Sequence, residues 1–149
     1  QIYLPPMEKE SGSICFREDF VSSALHEVAH WCIAGKDRRQ MVDFGYEYIC
    51  PPRDENAQKA FLQSERRVQG LERLFSELCW VPFFPSLDNL DCDQATAKKM
   101  PKLVLEFETA LETESQNWKL TISRNPASRA ATFYDALREN NIGQSDGLG

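Results

Sequence analysis

No apolar stretch of this chain approaches the roughly 20 uninterrupted residues that a membrane-spanning helix needs, which argues against a membrane protein of the helical kind. A secretory signal is also lacking: Gln1-Ile2-Tyr3-Leu4-Pro5-Pro6 has neither a basic start nor an apolar core. Positive charge is in short supply, with 17 Lys and Arg against 23 Asp and Glu and a formal net charge of -6. Non-specific nucleic-acid binding draws most of its affinity from a basic face, and this balance argues against it. The five cysteines, Cys15, Cys32, Cys50, Cys79 and Cys92, are odd in number, widely spaced and without a C-x-x-C pair. They make neither a disulfide framework nor a zinc ribbon, and they read as reduced, mostly buried thiols of a cytoplasmic protein. Histidine is the scarcest residue type, with two in the whole chain.

What is present fits an ordinary globular protein. A chain of 149 residues, 42% hydrophobic and 27% charged, suits one domain around one core. The reading is a single domain over 1–149, with residues 1–11 as an extended arm and 143–149 as a flexible tail. The missing initiator Met points to a segment that precedes Gln1 in a longer chain.

Periodicity places the elements. Ser13-Ile14-Cys15-Phe16-Arg17 is a short strand candidate. Asp19 is a plausible N-cap for a helix running to Gly35, on which Phe20, Leu25, Val28, Ala29, Cys32 and Ile33 form an apolar stripe. Gly35 would supply the C-cap. Residues 36–43 form a connector, and the aromatic stretch Asp43 to Cys50 is a strand or a structured loop ended by Pro51-Pro52. A second helix is expected from about Asp54 to Leu78, with Phe61, Val68, Leu71, Leu74, Phe75 and Leu78 on its apolar face. A Pro- and aromatic-rich connector over 80–93 precedes a third helix, Asp93 to Glu114, that Pro101 is expected to split. A last helix starts near Pro126. The fold class is α+β: mainly helical, with a small sheet packed near the histidine helix.

Both histidines lie in His26-Glu27-Val28-Ala29-His30, an H-E-x-x-H motif. Positions i and i+4 of a helix share a face, so the two imidazoles can meet at one metal ion. With no other histidine, a third protein ligand is a carboxylate or a thiol. Glu65 is the first choice, because the apolar run that follows it packs the second helix against the first. Asp43, close to the site in sequence, is the second. Glu72 and Glu77 share the helix of Glu65 and are expected to point outward. Glu27 sits about 100° around the helix from His26. In a zinc hydrolase that position is the general base, and in an oxygen-activating iron site it orients substrate or water. Lys36, Arg38 and Arg39 form a small basic cluster after the motif.

The stretch Ser23 to Lys36, followed by Arg38-Arg39 and Val42-Asp43-Phe44-Gly45-Tyr46, resembles the bacterial elongation factor P hydroxylases. Tyr48, Arg53-Asp54, Glu65, Gln69, Leu74-Phe75, Pro82-Phe83 and Asp88-Asn89-Leu90 continue the resemblance, which is dense from Ala24 to Tyr48 and covers roughly 12–90. The C-terminal third resembles the family only in its helical character. The resemblance implies a cytoplasmic non-haem iron monooxygenase that uses dioxygen to hydroxylate the β-lysylated lysine of elongation factor P. Its metal, Fe(II) with zinc or another divalent ion as stand-in, would be held by His26, His30 and Glu65, with Glu27 as the catalytic carboxylate. Asp43, Tyr46, Tyr48, Arg38 and Arg39 would contact substrate, and Phe44 and Trp31 would help to wall the site. Family members carry an N-terminal segment ahead of the part present here, so the resemblance also implies a shortened chain. The alternative, drawn from the motif alone, is a zinc-dependent metallohydrolase or peptidase. A metal-stabilised binding module ranks last, because three-ligand sites are usually open and catalytic.

Overall fold

The computed structural model describes residues 2–8, 10–16, 20–46 and 48–145, with side chains described to residue 140. Strands β1 (Ile2–Leu4) and β2 (Ser13–Cys15) pair antiparallel, with Tyr3 opposite Ile14. The expected extended arm is therefore the first strand and turn of a hairpin. Tyr3 gives the reason: its buried ring stacks on Phe44 at 4.1 Å, and its hydroxyl donates to the Arg39 carbonyl at 2.8 Å.

Helix α1 (Val21–Ile33) carries the H-E-x-x-H motif. The proposed cap Asp19 lies outside the described residues, and Phe20 occupies the N-cap position without a side-chain bond. Ala34, not Gly35, is the C-cap, and its N–H donates to the His30 carbonyl. A left-handed glycine is not needed there because tertiary contacts cap the free carbonyls. Arg129 donates to the carbonyls of Trp31 at 3.2 Å and Cys32 at 3.0 Å, and also to Ala34. Its positive charge at the negative helix end is favourable as well.

The chain then makes two 3-10 turns, Arg38–Gln40 and Val42–Gly45. In the second, Asp43 (φ 48°), Phe44 (φ 57°) and Gly45 (φ 61°) are left-handed in succession. The described residues of the stretch, 43–46 and 48–50, thus form a structured loop rather than a strand.

Helix α2 (Glu55–Leu78) starts where expected, on Asp54, whose side chain accepts from the Ala57 N–H. Helix α3 (Gln94–Arg124) is longer than expected and is not split at Pro101. Pro101 removes one backbone donor. Burial of Leu103, Phe107 and Leu111 along the same helix holds its axis through that gap. Helix α4 (Arg129–Ser145) extends three residues into the stretch expected as a tail, and residues 146–149 lie outside the described residues.

The four helices share one core. Leu25 and Ala29 of α1 pack on Val68, Leu71, Leu74 and Phe75 of α2, joined by Trp118 and Ile122 of α3 and Ala130 and Ala131 of α4. Gly70 lets α2 and α3 approach closely, since a Cβ there would fall 2.7 Å from Glu114 Cγ and 2.9 Å from Glu114 Cβ. No helix among the described residues is long and apolar enough to cross a membrane. The cysteines are free, as expected, but none is fully buried: Cys15 and Cys50 are exposed, and Cys32, Cys79 and Cys92 are half-buried. Burial pushes the Cys32 thiol up to about 12.

Candidate metal centre

The apolar stripe that docks α1 on α2 also decides which polar residues meet. Turning Leu25 and Ala29 into the core brings His26 and His30 to the seam with α2. Their Nε2 atoms lie 3.2 Å apart. Glu65, 4% exposed, closes the third turn of α2, with Oε2 3.6 Å from His26 Nε2 and Oε1 3.6 Å from His30 Nε2. One ligand atom from each of the three lies within 4.8 Å of the others.

The donor set fits a divalent transition metal. Two ligand atoms on one such ion, bound at about 2.1 Å with about 100° between them, sit about 3.2 Å apart. The separations of 3.2 Å and 3.6 Å in this group are close to that spacing. Two imidazole nitrogens and one carboxylate also leave coordination positions free for other ligands. Burial, then the neighbouring charges of His26 and Arg38, lowers His30 to about 3, so its imidazole is neutral and ready to ligate at neutral pH. Burial alone would also lower His26. The Glu72 hydrogen bond and the charges of Glu72, Glu65 and Glu27 outweigh it and carry the group above its ordinary value. A cation bound by these nitrogens takes the place of a proton, as at other metal sites.

Glu72 is the residue that sequence reasoning misplaced. It is 8% exposed, and its Oε2 lies 2.7 Å from His26 Nδ1. It does not point outward, because it stands seven residues after Glu65 and shares the helix face turned toward α1. The i, i+4, i+7 spacing of Glu65, Gln69 and Glu72 was the available signal. Glu77, by contrast, is exposed as expected.

The three residues open onto a cleft of about 670 Å³, lined also by Glu27, Asp43, Phe44, Tyr46, Tyr48, Phe61 and Asp88. Glu27 is 9% exposed, and burial pushes its carboxyl above the usual carboxylate range, partly offset by the adjacent His26. Asp43 reaches the cleft from the left-handed turn, but its Oδ1 accepts the Tyr3 N–H at 2.8 Å. Phe44 and Tyr46 both lie against His30, at centroid distances of 6.1 Å and 5.2 Å. Burial raises the Tyr46 phenol, and a hydrogen bond with Ser64 works against that shift.

Tyr48 donates to Asp88 on the opposite loop. Buried Arg53 locks the two loops together: its N–H donates to Asn89 Oδ1 at 2.8 Å, and its guanidinium donates to the Leu87 carbonyl at 3.1 Å. Gln69 ties α2 to the same loop, donating to the Ser86 carbonyl at 2.9 Å and accepting from the Ser86 N–H at 2.9 Å.

The basic cluster is placed differently. Arg38 Nε donates to the Phe44 carbonyl at 2.8 Å, and its guanidinium lies 5.0 Å above the Tyr46 ring, beside a recess of about 260 Å³ that shares Tyr46, Tyr48 and Phe61 with the cleft. Arg39 is not among the residues lining the cleft and donates to the Ala34 carbonyl at 3.3 Å. Trp31 also stands away from it, packed on the Tyr3, Ala34 and Phe44 cluster beneath Arg129.

A family model described as elongation factor P hydroxylase matches residues 1–144, which extends the resemblance into the C-terminal third. An elongation factor P lysine hydroxylase of Haemophilus influenzae is 39% identical over 106 residues, covering 70% of this chain. The match spans 60% of that relative's length. No solved structure matches the chain.

Proposed function

The chain belongs to the elongation factor P hydroxylase family, and from that membership we propose that it hydroxylates the β-lysylated lysine of elongation factor P with an Fe(II) centre, dioxygen and a two-electron reductant that carries the second oxygen atom to water. The observation that carries this reading is the convergence of His26, His30 and Glu65 at the cleft floor. That trio is the two-histidine, one-carboxylate set of oxygen-activating iron enzymes. When bound, iron supplies the activation of dioxygen needed to attack an unactivated C–H bond, which no side chain provides.

The remaining steps belong to the chain's own residues. The cleft, about 670 Å³ in volume, is rich in carboxylates: Glu27, Asp43, Glu65 and Asp88 all line it. Such a lining suits a substrate arm that carries ammonium groups. Phe44, Tyr46, Tyr48 and Phe61 supply flat apolar walls along which methylene groups pack. Glu27 stands next to the ligands and holds the amine or a water by hydrogen bonding. Arg38 supports the Phe44 and Tyr46 wall rather than reaching the ligands itself. The folded partner brings its lysine to the cleft mouth, where Tyr48 is about half exposed.

The zinc hydrolase reading shares the H-E-x-x-H helix and makes Glu27 a general base. Family membership supports the hydroxylase instead. Metal-stripped protein separates the two: activity on β-lysylated elongation factor P should return with Fe(II), dioxygen and a reductant. It should fail with zinc and stay absent in His26→Ala and His30→Ala. Peptide-bond cleavage by the zinc-loaded protein, with no requirement for oxygen, would favour the hydrolase.

A further inference from the structure

We propose that Glu72 is a positioning residue of the metal centre, one that fixes the orientation and tautomer of His26. The inference rests on the metal-binding reading of His26, His30 and Glu65. An imidazole ligates through a nitrogen that carries no proton, so the proton of neutral His26 must sit on the other nitrogen. His26 Nδ1 lies 2.7 Å from Glu72 Oε2, whereas His26 Nε2 faces His30 Nε2 at 3.2 Å and Glu65 Oε2 at 3.6 Å. With Nδ1–H donated to Glu72, the lone pair of Nε2 points at the shared ligand position. The hydrogen bond also blocks rotation about the Cβ–Cγ bond, which would swing Nε2 away.

The helix geometry makes this a rigid arrangement. Glu65 and Glu72 lie two turns apart on one face of α2, so a single helix supplies both a ligand and the orienter of another ligand. Between them Gln69, 1% exposed, holds Glu65 Oε2 at 3.4 Å and is itself fixed by Ser86. Core contacts from Val68, Leu71 and Leu74 clamp the same turns of α2 against α1. A merely structural ion pair has a weaker claim, since the desolvation cost of burying both groups offsets much of its attraction. The side chains of His26 and Glu72 are only 20% and 10% exposed.

The test measures zinc(II) affinity of the whole chain by competition with a chromogenic chelator, alongside the melting temperature of metal-stripped protein. Nitrogen NMR of the zinc-loaded protein reports the His26 tautomer. Glu72→Ala is expected to weaken zinc binding 10- to 100-fold, the range seen when a carboxylate partner of a ligating histidine is lost. Glu72→Gln keeps the shape and an acceptor but not the charge, and its affinity should fall between those of the wild type and Glu72→Ala. Wild-type protein should show Nδ1 protonated and Nε2 metal-bound, and Glu72→Ala should lose the single tautomer. Wild-type zinc affinity in Glu72→Ala overturns the proposal, even if the melting temperature falls. If Glu72→Ala does not fold, wild-type affinity in Glu72→Gln overturns it. Wild-type protein that binds no zinc would overturn the metal centre itself, a result distinct from loss of the Glu72 role alone.

Discussion

Replacing Gly45 with alanine should destabilise the turn that carries Asp43 and Phe44 to the cleft, and the structure sets the size of the effect. Gly45 has φ +61°, and a Cβ built there meets Met41 Sδ at 2.6 Å. The left-handed conformation costs an L residue about 1–2 kcal/mol. Met41 is 51% exposed, so its sulfur can swing into solvent and the steric part is small. Alanine also restricts the unfolded chain, which contributes about 0.4–1 kcal/mol in the opposite direction. The net loss is about 1 kcal/mol, or roughly 2–4 °C in melting temperature for a domain of this size. Thermal unfolding of Gly45→Ala, Met41→Ala and the double variant separates the terms. The alanine at 45 should remain destabilising when Met41 is already shortened. Stabilisation by Gly45→Ala in either background would refute the left-handed turn. Zinc affinity should change little in Gly45→Ala, because His26, His30 and Glu65 come from helices and not from this turn.

Other consequences are equally open to measurement. Glu65→Ala should lower metal affinity far more than Asp43→Ala, since Asp43 is engaged with the Tyr3 N–H; equal losses on chelator titration would move Asp43 into the ligand set. Gly70→Ala gains helix propensity but forces Glu114 away from α2, and overpacking at such a crossing costs about 1–3 kcal/mol, so urea unfolding should show a net loss of stability. Alkylation of native protein at pH 8 should label Cys15 and Cys50 ahead of Cys32 and Cys79, whose thiols are raised by burial; fast labelling of Cys32 on peptide mapping would mean that α1 is loosely packed.

The parts of this structure legible in the sequence are those governed by local rules. The Asp54 cap, the span of α2 and the pairing of His26 with His30 follow from capping chemistry and helical period. Glu65 followed because an apolar stripe dictates which side of α2 meets α1. The errors arise where distant residues decide. Gly35 looked like a helix stop, but Arg129 caps those carbonyls from across the chain. The first residues read as an extended arm, and a single buried ring at Tyr3 is what pins them as a paired strand. Pro101 looked like a break, and tertiary burial carried α3 through it. Glu72 is expected to point outward, and the histidine opposite it on α1 accounts for its burial. Trp31 shares its helix with His26 and His30 but packs with the hairpin cluster, and no composition rule indicates that.

The central claim is that the His26, His30 and Glu65 centre places an oxygen atom on a lysine of elongation factor P. Intact mass spectrometry of β-lysylated elongation factor P, incubated with Fe(II)-loaded protein and a reductant under isotopically heavy dioxygen, tests it directly. The account predicts a gain of one oxygen atom, about 16 Da with ordinary dioxygen and shifted by the heavy label, located on the modified lysine. It also predicts no gain with His30→Ala. An unchanged mass with iron, oxygen and reductant present, or an added oxygen that comes from water rather than dioxygen, would contradict it.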